Sequence, residues 1–190
     1  MKRLLILATC LFIIACENSS QKDVRVAIPI DGKQNFSSID NIVSKMRVLT
    51  LESADNVVLS SDNIVKCNED YIVIIDRLHS GQIHIFNIDG SYRATIAAKG
   101  RGPNEYLDMA SVQLSDDSIM IYSYHKQAVL YYDYNGKFIE SDQLEYKPYN
   151  LHKTDNGYWG YVGFGSGQMK ERVVKMDGNG AIIDKYLPTK

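Results

Sequence analysis

A repeat of about 45 residues constrains the fold of this 190-residue chain more than any other feature. Three strand-like apolar runs each end in a turn sequence, and the terminal glycines of these turns, Gly90, Gly136 and Gly180, lie 46 and 44 residues apart. A fixed period of this size is typical of proteins that use one supersecondary unit several times. The sequence therefore predicts an array of similar units.

Each unit has the pattern of four short antiparallel strands. Asp89-Gly90 and Asn135-Gly136 predict type I′ hairpins, in which both central residues take positive φ. A second pair of runs, separated by acidic or Asn residues, precedes each hairpin. Ile72–Ile75 and Ile119–Tyr122 are apolar throughout, which indicates strands that are covered on both faces. The units span approximately residues 64–100, 111–145 and 150–187.

Stacked four-stranded units of this size predict an all-β chain that contains about three blades of a β-propeller. Neighbouring blades would cover both faces of the apolar strands. Helix signals are nearly absent, since no long stretch keeps a period of 3.6 residues. A β-sandwich of unrelated hairpins is the alternative that remains open.

Residues 1–15 predict an export signal. Lys2 and Arg3 precede an uncharged apolar run of 12 residues, Leu4–Ala15, which is too short to span a bilayer. Cys16 follows at once, and the sequence Ile13-Ile14-Ala15-Cys16 resembles a bacterial lipobox. The resemblance implies that Cys16 takes a diacylglyceryl group and that cleavage before it frees an amine for a further acyl chain.

The polar residues that follow Cys16 lack apolar periodicity, and residues 16–23 are predicted to be a lipidated tether in front of a folded region, residues 24–190. In families with this kind of signal, an Asp directly after the cysteine is typical of inner-membrane retention. Glu17 stands there instead, so the resemblance favours the outer membrane. Cys67 has no partner for an intramolecular disulfide in the processed chain and is expected to be a small buried hydrophobe.

The segment after the first unit, Gly100–Tyr106, reads Gly-Arg-Gly-Pro-Asn-Glu-Tyr. It resembles the G-x-G-P-G-E-Y signature of the six-bladed β-propeller lipoproteins, an NHL-like group, except at Asn104. The resemblance implies a ring of six blades, of which about three fit in this chain. The runs 24–28 and 46–51 are then expected to complete a last blade. The chain is expected to be a truncated member of that group, with open blade edges that permit self-association.

The candidate binding residues lie in loops that antiparallel blades place at one end. His79 and His125 fall about one repeat apart, between the second and third strands of successive units. The ligand-binding candidates are Arg77, His79, Arg101, Glu105, Tyr106, Tyr124 and His125. Together they would form a shallow polar cleft for a carbohydrate or a peptide. Two alternatives remain open: these are solvated loop residues without a common role, and the Gly100–Tyr106 segment is a turn that packs neighbouring blades.

Composition and motifs argue against nucleic-acid binding and give no sign of a catalytic or metal site. With Lys+Arg 21 against Asp+Glu 23 and a net charge of −2, the chain lacks the basic surface of a nucleic-acid binder. It has no G-x-S-x-G, H-E-x-x-H or paired C-x-x-C motif, so no catalytic residue, metal or cofactor is predicted.

The leading hypothesis is a non-enzymatic recognition or scaffold module of the cell envelope. Its partners would be the membrane, through the lipid anchor, and a glycan or an envelope protein. A metal-assisted hydrolase or lyase of the NHL-like propeller type is the alternative. A gene product without an independent function is the third possibility.

Overall fold

A computed structural model describes residues 46–55, 57–163 and 170–188. The predicted export signal, the tether with Cys16 and the run 24–28 lie outside these ranges. Within them, no helix has the length and apolar character needed to cross a membrane. The description that follows concerns the compact unit formed by Arg47–Lys190.

Twelve strands form three antiparallel sheets in the described part of the chain. Sheet 1 consists of β1 (Ile64–Cys67), β2 (Tyr71–Asp76), β3 (Gln82–Asn87) and β4 (Tyr92–Ile96). Sheet 2 consists of β5 (Ser111–Leu114), β6 (Ser118–Ser123), β7 (Ala128–Asp133) and β8 (Phe138–Gln143). Sheet 3 consists of β9 (Asn150–Thr154), β10 (Gly157–Tyr161), β11 (Glu171–Met176) and β12 (Ile182–Pro188). Within each sheet, every strand pairs with the next one in the chain, so the all-β prediction with four strands in each unit is confirmed.

Sheet 2 has an apolar core on each side. Successive side chains of a strand point to opposite faces, and β6 divides its residues accordingly. Ile119 and Ile121 pack in a cluster with sheet 1, whereas Met120 and Tyr122 pack in a cluster with sheet 3. All four are at most 3% exposed, and burial of a side chain of this size contributes about 1.5–3 kcal/mol. The prediction that this strand is covered on both faces is confirmed.

The outer hairpin of each sheet is wider than the predicted type I′ turn. The Gly90 N–H donates to the Asn87 carbonyl at 2.9 Å, and Gly90 has a φ of 94°, whereas Asp89 does not take positive φ. Gly136 and Gly180 repeat this arrangement, with φ of 78° and 79°. Each loop is therefore a four-residue turn that ends in a left-handed glycine and bulges the strand. The prediction of type I′ turns was wrong.

In two of the three hairpins, an aspartate at the start of the turn stabilises the wider loop. In the second hairpin, Asp133 Oδ1 accepts hydrogen bonds from the Asn135 and Lys137 N–H groups at 2.9 and 2.8 Å. Asp177 makes the equivalent bonds to Asn179 and Ala181, both at 2.9 Å. An Asp at this position favours the wider turn because its carboxylate satisfies two N–H groups of the loop. The X-Gly dipeptide alone therefore does not determine the type of turn.

The hairpin glycines also join each sheet to the element before it. A Cβ on Gly136 would lie 3.2 Å from the Thr95 carbonyl oxygen of β4, and one on Gly180 would lie 2.8 Å from Leu144, which follows β8. Gly90 packs in the same way on the backbone of Thr50. Residues 46–51 belong to none of the three sheets. Thr50 contacts Gly90 of sheet 1 as Thr95 of β4 contacts Gly136 of sheet 2.

Cys67 is exposed and has a free thiol, so the prediction that it is buried was wrong. It lies on β1, an edge strand of sheet 1 whose four residues are all exposed. The apolar residues that suggested a buried strand there, Ile64 and Val65, are exposed as well.

Candidate functional site

The structure brings the loops that carry the predicted site residues together at one end of sheets 1 and 2. The Lys126 ammonium donates to the carbonyls of Gly102, Pro103 and Glu105 at 3.0, 2.6 and 2.8 Å. These bonds join the β6–β7 loop to the connection between the two sheets. The Tyr106 hydroxyl joins that connection to the β2–β3 loop. We call the surface formed by residues 77–81, 99–108 and 124–127 the loop face.

A buried aspartate fixes the β2–β3 loop. Asp76 is 3% exposed, and its carboxylate accepts hydrogen bonds from the N–H groups of His79 and Ser80, both at 3.0 Å, and from the Ser80 hydroxyl at 2.8 Å. Burial acts to raise the pKa of Asp76, but these hydrogen bonds outweigh it and lower that pKa below the ordinary value. The charged carboxylate therefore orders the loop, while the Arg77 and His79 side chains stay exposed.

We expect Asp76→Asn to lower the free energy of unfolding by about 2–3 kcal/mol at neutral pH, because an amide accepts fewer of these bonds. The folded-state pKa is lowered, so the stability that Asp76 contributes is present above the ordinary value of 3.8 and is lost as the pH falls through the folded-state pKa. Urea denaturation at several pH values measures both effects. Asp116→Asn, at an exposed turn position, is the control and should change stability by less than about 0.5 kcal/mol. A gap between wild type and Asp76→Asn that does not narrow in acid would contradict this role.

Asp108 fixes the β6–β7 loop from a different place in the chain. Its carboxylate accepts hydrogen bonds from the Ser123 hydroxyl at 2.8 Å and from the N–H groups of Tyr124 and His125 at 3.1 and 2.9 Å. Ser123 occupies the strand-end position that Asp76 holds in sheet 1. Sequence reasoning missed Asp108, although the change from Asp to the shorter Ser at that repeat position was the signal that another carboxylate is needed.

The Gly100–Tyr106 segment packs the two sheets together. Tyr106 is completely buried, and its hydroxyl donates to the Gly81 carbonyl at 2.8 Å. Burial raises the pKa of Tyr106 well above its ordinary value, so it stays protonated as the donor. Glu105 accepts the Gly102 N–H at 2.7 Å within the same turn. Tyr106 therefore exposes no surface to solvent, and the packing role weighed for this segment is the one that these contacts support.

The other predicted residues are accessible to different degrees. Arg77, His79, Arg101 and His125 are exposed. Two histidines lie near carboxylates: His79 Nε2 is 3.7 Å from Asp62 Oδ2, and His125 Nδ1 is 3.3 Å from Asp108 Oδ1. Tyr124 is half-buried, because its ring stacks on Tyr149 with centroids 5.3 Å apart.

Two clefts adjoin these residues. A cleft of about 130 Å³ on the loop face lies between Arg77, Lys99 and Asp108. A larger one, of about 360 Å³, lies where β1, β5 and β9 come together, and Arg77 borders it too. We call it the inner cleft; its size falls in the range of small-molecule sites. Sequence reasoning did not find it, since its lining comes from three sheets.

Metal-ligating side chains are not clustered on this surface. Among the described residues, no group of three or more His, Cys, Asp or Glu side chains could hold a metal ion. The two histidines of the loop face each have one carboxylate near them, and those carboxylates are different.

Comparisons with known proteins give a fold relative and a family. The crystal structure of a Bacteroides fragilis protein described as an exported protein is similar, with a TM-score of 0.63 and 20% identity. The similarity covers 75% of this chain and 42% of that one, so this chain spans less than half the length of its structural relative. No curated protein matches the sequence. A family described as a domain of unknown function, DUF4934, matches residues 23–190, and the chain belongs to that family.

Proposed function

We propose that this protein is a lipid-anchored, non-enzymatic recognition module of the cell envelope that binds a glycan or an envelope protein at its loop face. The observation that carries the proposal is the loop face itself. Arg77, His79, Arg101 and His125 are exposed on it, and Asp76 and Asp108 fix the loops beneath. A surface held in this way loses little conformational entropy on binding, which favours recognition.

The three sheets are, in this proposal, blades of a partial β-propeller. Contacts between successive sheets support it at two places. At the inner strands, Gln113 of β5 exchanges hydrogen bonds of 2.9 and 3.1 Å with the backbone of Lys153 in β9. At the outer strands, each hairpin glycine packs on the preceding element. A constant step from sheet to sheet is the geometry of stacked blades. The resemblance of Gly100–Tyr106 to propeller lipoproteins agrees with it.

The anchor is proposed from the N-terminal sequence. The apolar run Leu4–Ala15 followed by Cys16 has the pattern of a lipoprotein signal, and Glu17 favours the outer membrane. The structural relative is described as an exported protein, which is consistent with export of this chain. The hydrolase or lyase alternative has no specific observation in its favour.

Metabolic labelling with an alkyne fatty acid in a Gram-negative host tests the anchor. We expect the wild-type chain to take up the label and to fractionate with membranes, and Cys16→Ser to lose both properties. Cys67→Ser is the matched control, since it removes the exposed thiol of β1 and should stay labelled. Label that persists in Cys16→Ser would overturn the anchor.

Binding to arrayed envelope glycans and envelope-protein extracts tests recognition. For any ligand found, we expect the Arg101→Gln/His125→Gln double variant to weaken binding about tenfold or more. Lys137→Gln is the control, because Lys137 is exposed on the hairpin at the other end of sheet 2. The proposal fails if no ligand is retained or if the control weakens binding equally.

A further inference from the structure

The inner cleft has a one-sided charge. Lys66 of β1, Arg77 at the end of β2 and His152 of β9 line it, and no Asp or Glu is part of its lining. The whole chain has a net charge of −2 with histidine neutral, so a cleft that contains Lys66 and Arg77 but no carboxylate runs against the overall balance. Like charges that share a cleft repel each other, and an anion bound between them relieves that repulsion.

The cationic groups of the inner cleft are not occupied elsewhere. Across the described ranges, the side chains of Lys66, Arg77 and His152 make no hydrogen bond and no ion pair. Other cations near the sheet contacts are occupied. Arg93 donates to the Tyr134 carbonyl at 3.1 Å and Lys153 donates to the Tyr131 hydroxyl at 2.9 Å. The inner cleft thus holds a lysine and an arginine whose donors are available.

The neutral polar side chains of the cleft already have hydrogen-bond partners in the protein. The Ser111 hydroxyl accepts the Leu151 N–H at 2.9 Å, and the Gln113 amide bonds the Lys153 backbone. These groups join β5 to β9 and offer little to the hydroxyls of a ligand. Recognition of a polar ligand here therefore depends on the charged side chains.

The rest of the lining is aliphatic. It consists of Ile64, Ile75, Met109, Ala110, Val112 and Leu151, together with the groups already named. No Phe, Tyr or Trp side chain lines the cleft, so a sugar lacks the large aromatic platform on which it would stack. Aliphatic side chains gain free energy when they cover a hydrocarbon surface.

We propose that the inner cleft binds a carboxylate that is attached to an aliphatic body. The Arg77 guanidinium and the Lys66 ammonium hold the carboxylate, and the side chains of Ile64, Val112 and Leu151 cover the hydrocarbon part. This site shares Arg77 with the loop face, but it does not depend on lipidation of Cys16 or on a ligand bound at the loop face.

Methyl NMR on the full chain in a mild detergent, titrated with N-acetyl-leucine, tests the site. We expect saturable shifts of the Ile64, Val112 and Leu151 methyl signals, and none for Ile139, which is exposed on β8. N-acetyl-leucinamide has the same body without the charge and should bind about tenfold more weakly or worse. Glucuronate carries the carboxylate on a sugar ring and should also bind more weakly than N-acetyl-leucine.

Matched variants separate this site from the loop face. Lys66→Gln and Arg77→Gln should each weaken N-acetyl-leucine about tenfold, whereas Arg101→Gln, on the loop face alone, should leave it unchanged. All three side chains are exposed, so the variants should keep the wild-type melting temperature. The proposal is overturned if the cleft methyls do not respond, if the amide binds equally well, or if Arg101→Gln has the same effect. Tighter binding of glucuronate would overturn the aliphatic assignment.

Discussion

Tyr106→Ala should lower the free energy of unfolding by about 3–5 kcal/mol, which would abolish or nearly abolish folding of a marginally stable chain. Tyr106 is completely buried between sheets 1 and 2, and its ring lies 6.2 Å from the Tyr132 ring in an edge-to-face arrangement. The substitution leaves a cavity at the contact between the sheets and removes the bond from its hydroxyl to the Gly81 carbonyl. Urea denaturation followed by near-ultraviolet circular dichroism measures the loss.

Tyr106→Phe divides this effect between ring and hydroxyl. The ring remains, while the Gly81 carbonyl loses a donor at 2.8 Å and the Ile96 carbonyl loses one at 3.3 Å. We expect a loss of about 1–3 kcal/mol, the usual cost of an unsatisfied buried group. A loss below about 1 kcal/mol for Tyr106→Ala would contradict the inference that this segment holds the two sheets together.

Gly157→Ala should cost about 3 kcal/mol or more. Gly157 begins β10 with a φ of 112°, a conformation that residues with a Cβ rarely adopt. A Cβ there would also overlap the Met176 carbonyl oxygen and lie 2.8 Å from the carbonyl carbon of Asp177. Both neighbours are backbone atoms of β11 and of the turn that follows it, so the steric overlap can be relieved only if the strand shifts. Thermal and urea denaturation measure the loss.

Gly178→Ala is the matched control for Gly157→Ala. Gly178 lies in the β11–β12 hairpin, and a Cβ there would meet no atom within 4 Å. We expect a change within about 0.5 kcal/mol. Equal losses in the two variants would mean that a general intolerance of glycine replacement, and not the close approach at Gly157, sets the effect.

The strand pattern was predictable because it is local. Ile119–Tyr122 are buried on both faces as their apolar run indicates, and of Ile72–Ile75 all but the half-buried Ile72 are buried. Turn type was less predictable, because the wider loops of the second and third hairpins are stabilised by hydrogen bonds to the carboxylates of Asp133 and Asp177, outside the X-Gly dipeptide. The exposure of Cys67 also escaped prediction: an edge strand has the same composition as a central one, and only the sheet order separates them.

The site was predictable at the level of loops but not of contacts. His79 and His125 do lie at the same end of neighbouring sheets, as their spacing of one repeat implied. Sequence could not reveal that Tyr106 points inward, since that depends on how sheet 2 packs on sheet 1. The inner cleft could not be predicted from the sequence either, because residues about 40 positions apart meet there only when the sheets stack.

Each hairpin glycine contacts an element that precedes it in the chain, which bears on the order in which the sheets can pack together. The hairpin glycine of sheet 1 contacts Thr50, that of sheet 2 contacts β4, and that of sheet 3 contacts Leu144 after β8. In every case the contacted residues come before the hairpin in the chain. When a polypeptide emerges amino terminus first, from a ribosome or through a membrane, the contacted element emerges before the hairpin that packs on it. All strand pairings within a sheet are between sequence neighbours, which keeps loop closure short and fast. The order of these contacts along the chain therefore favours folding from the amino terminus onward.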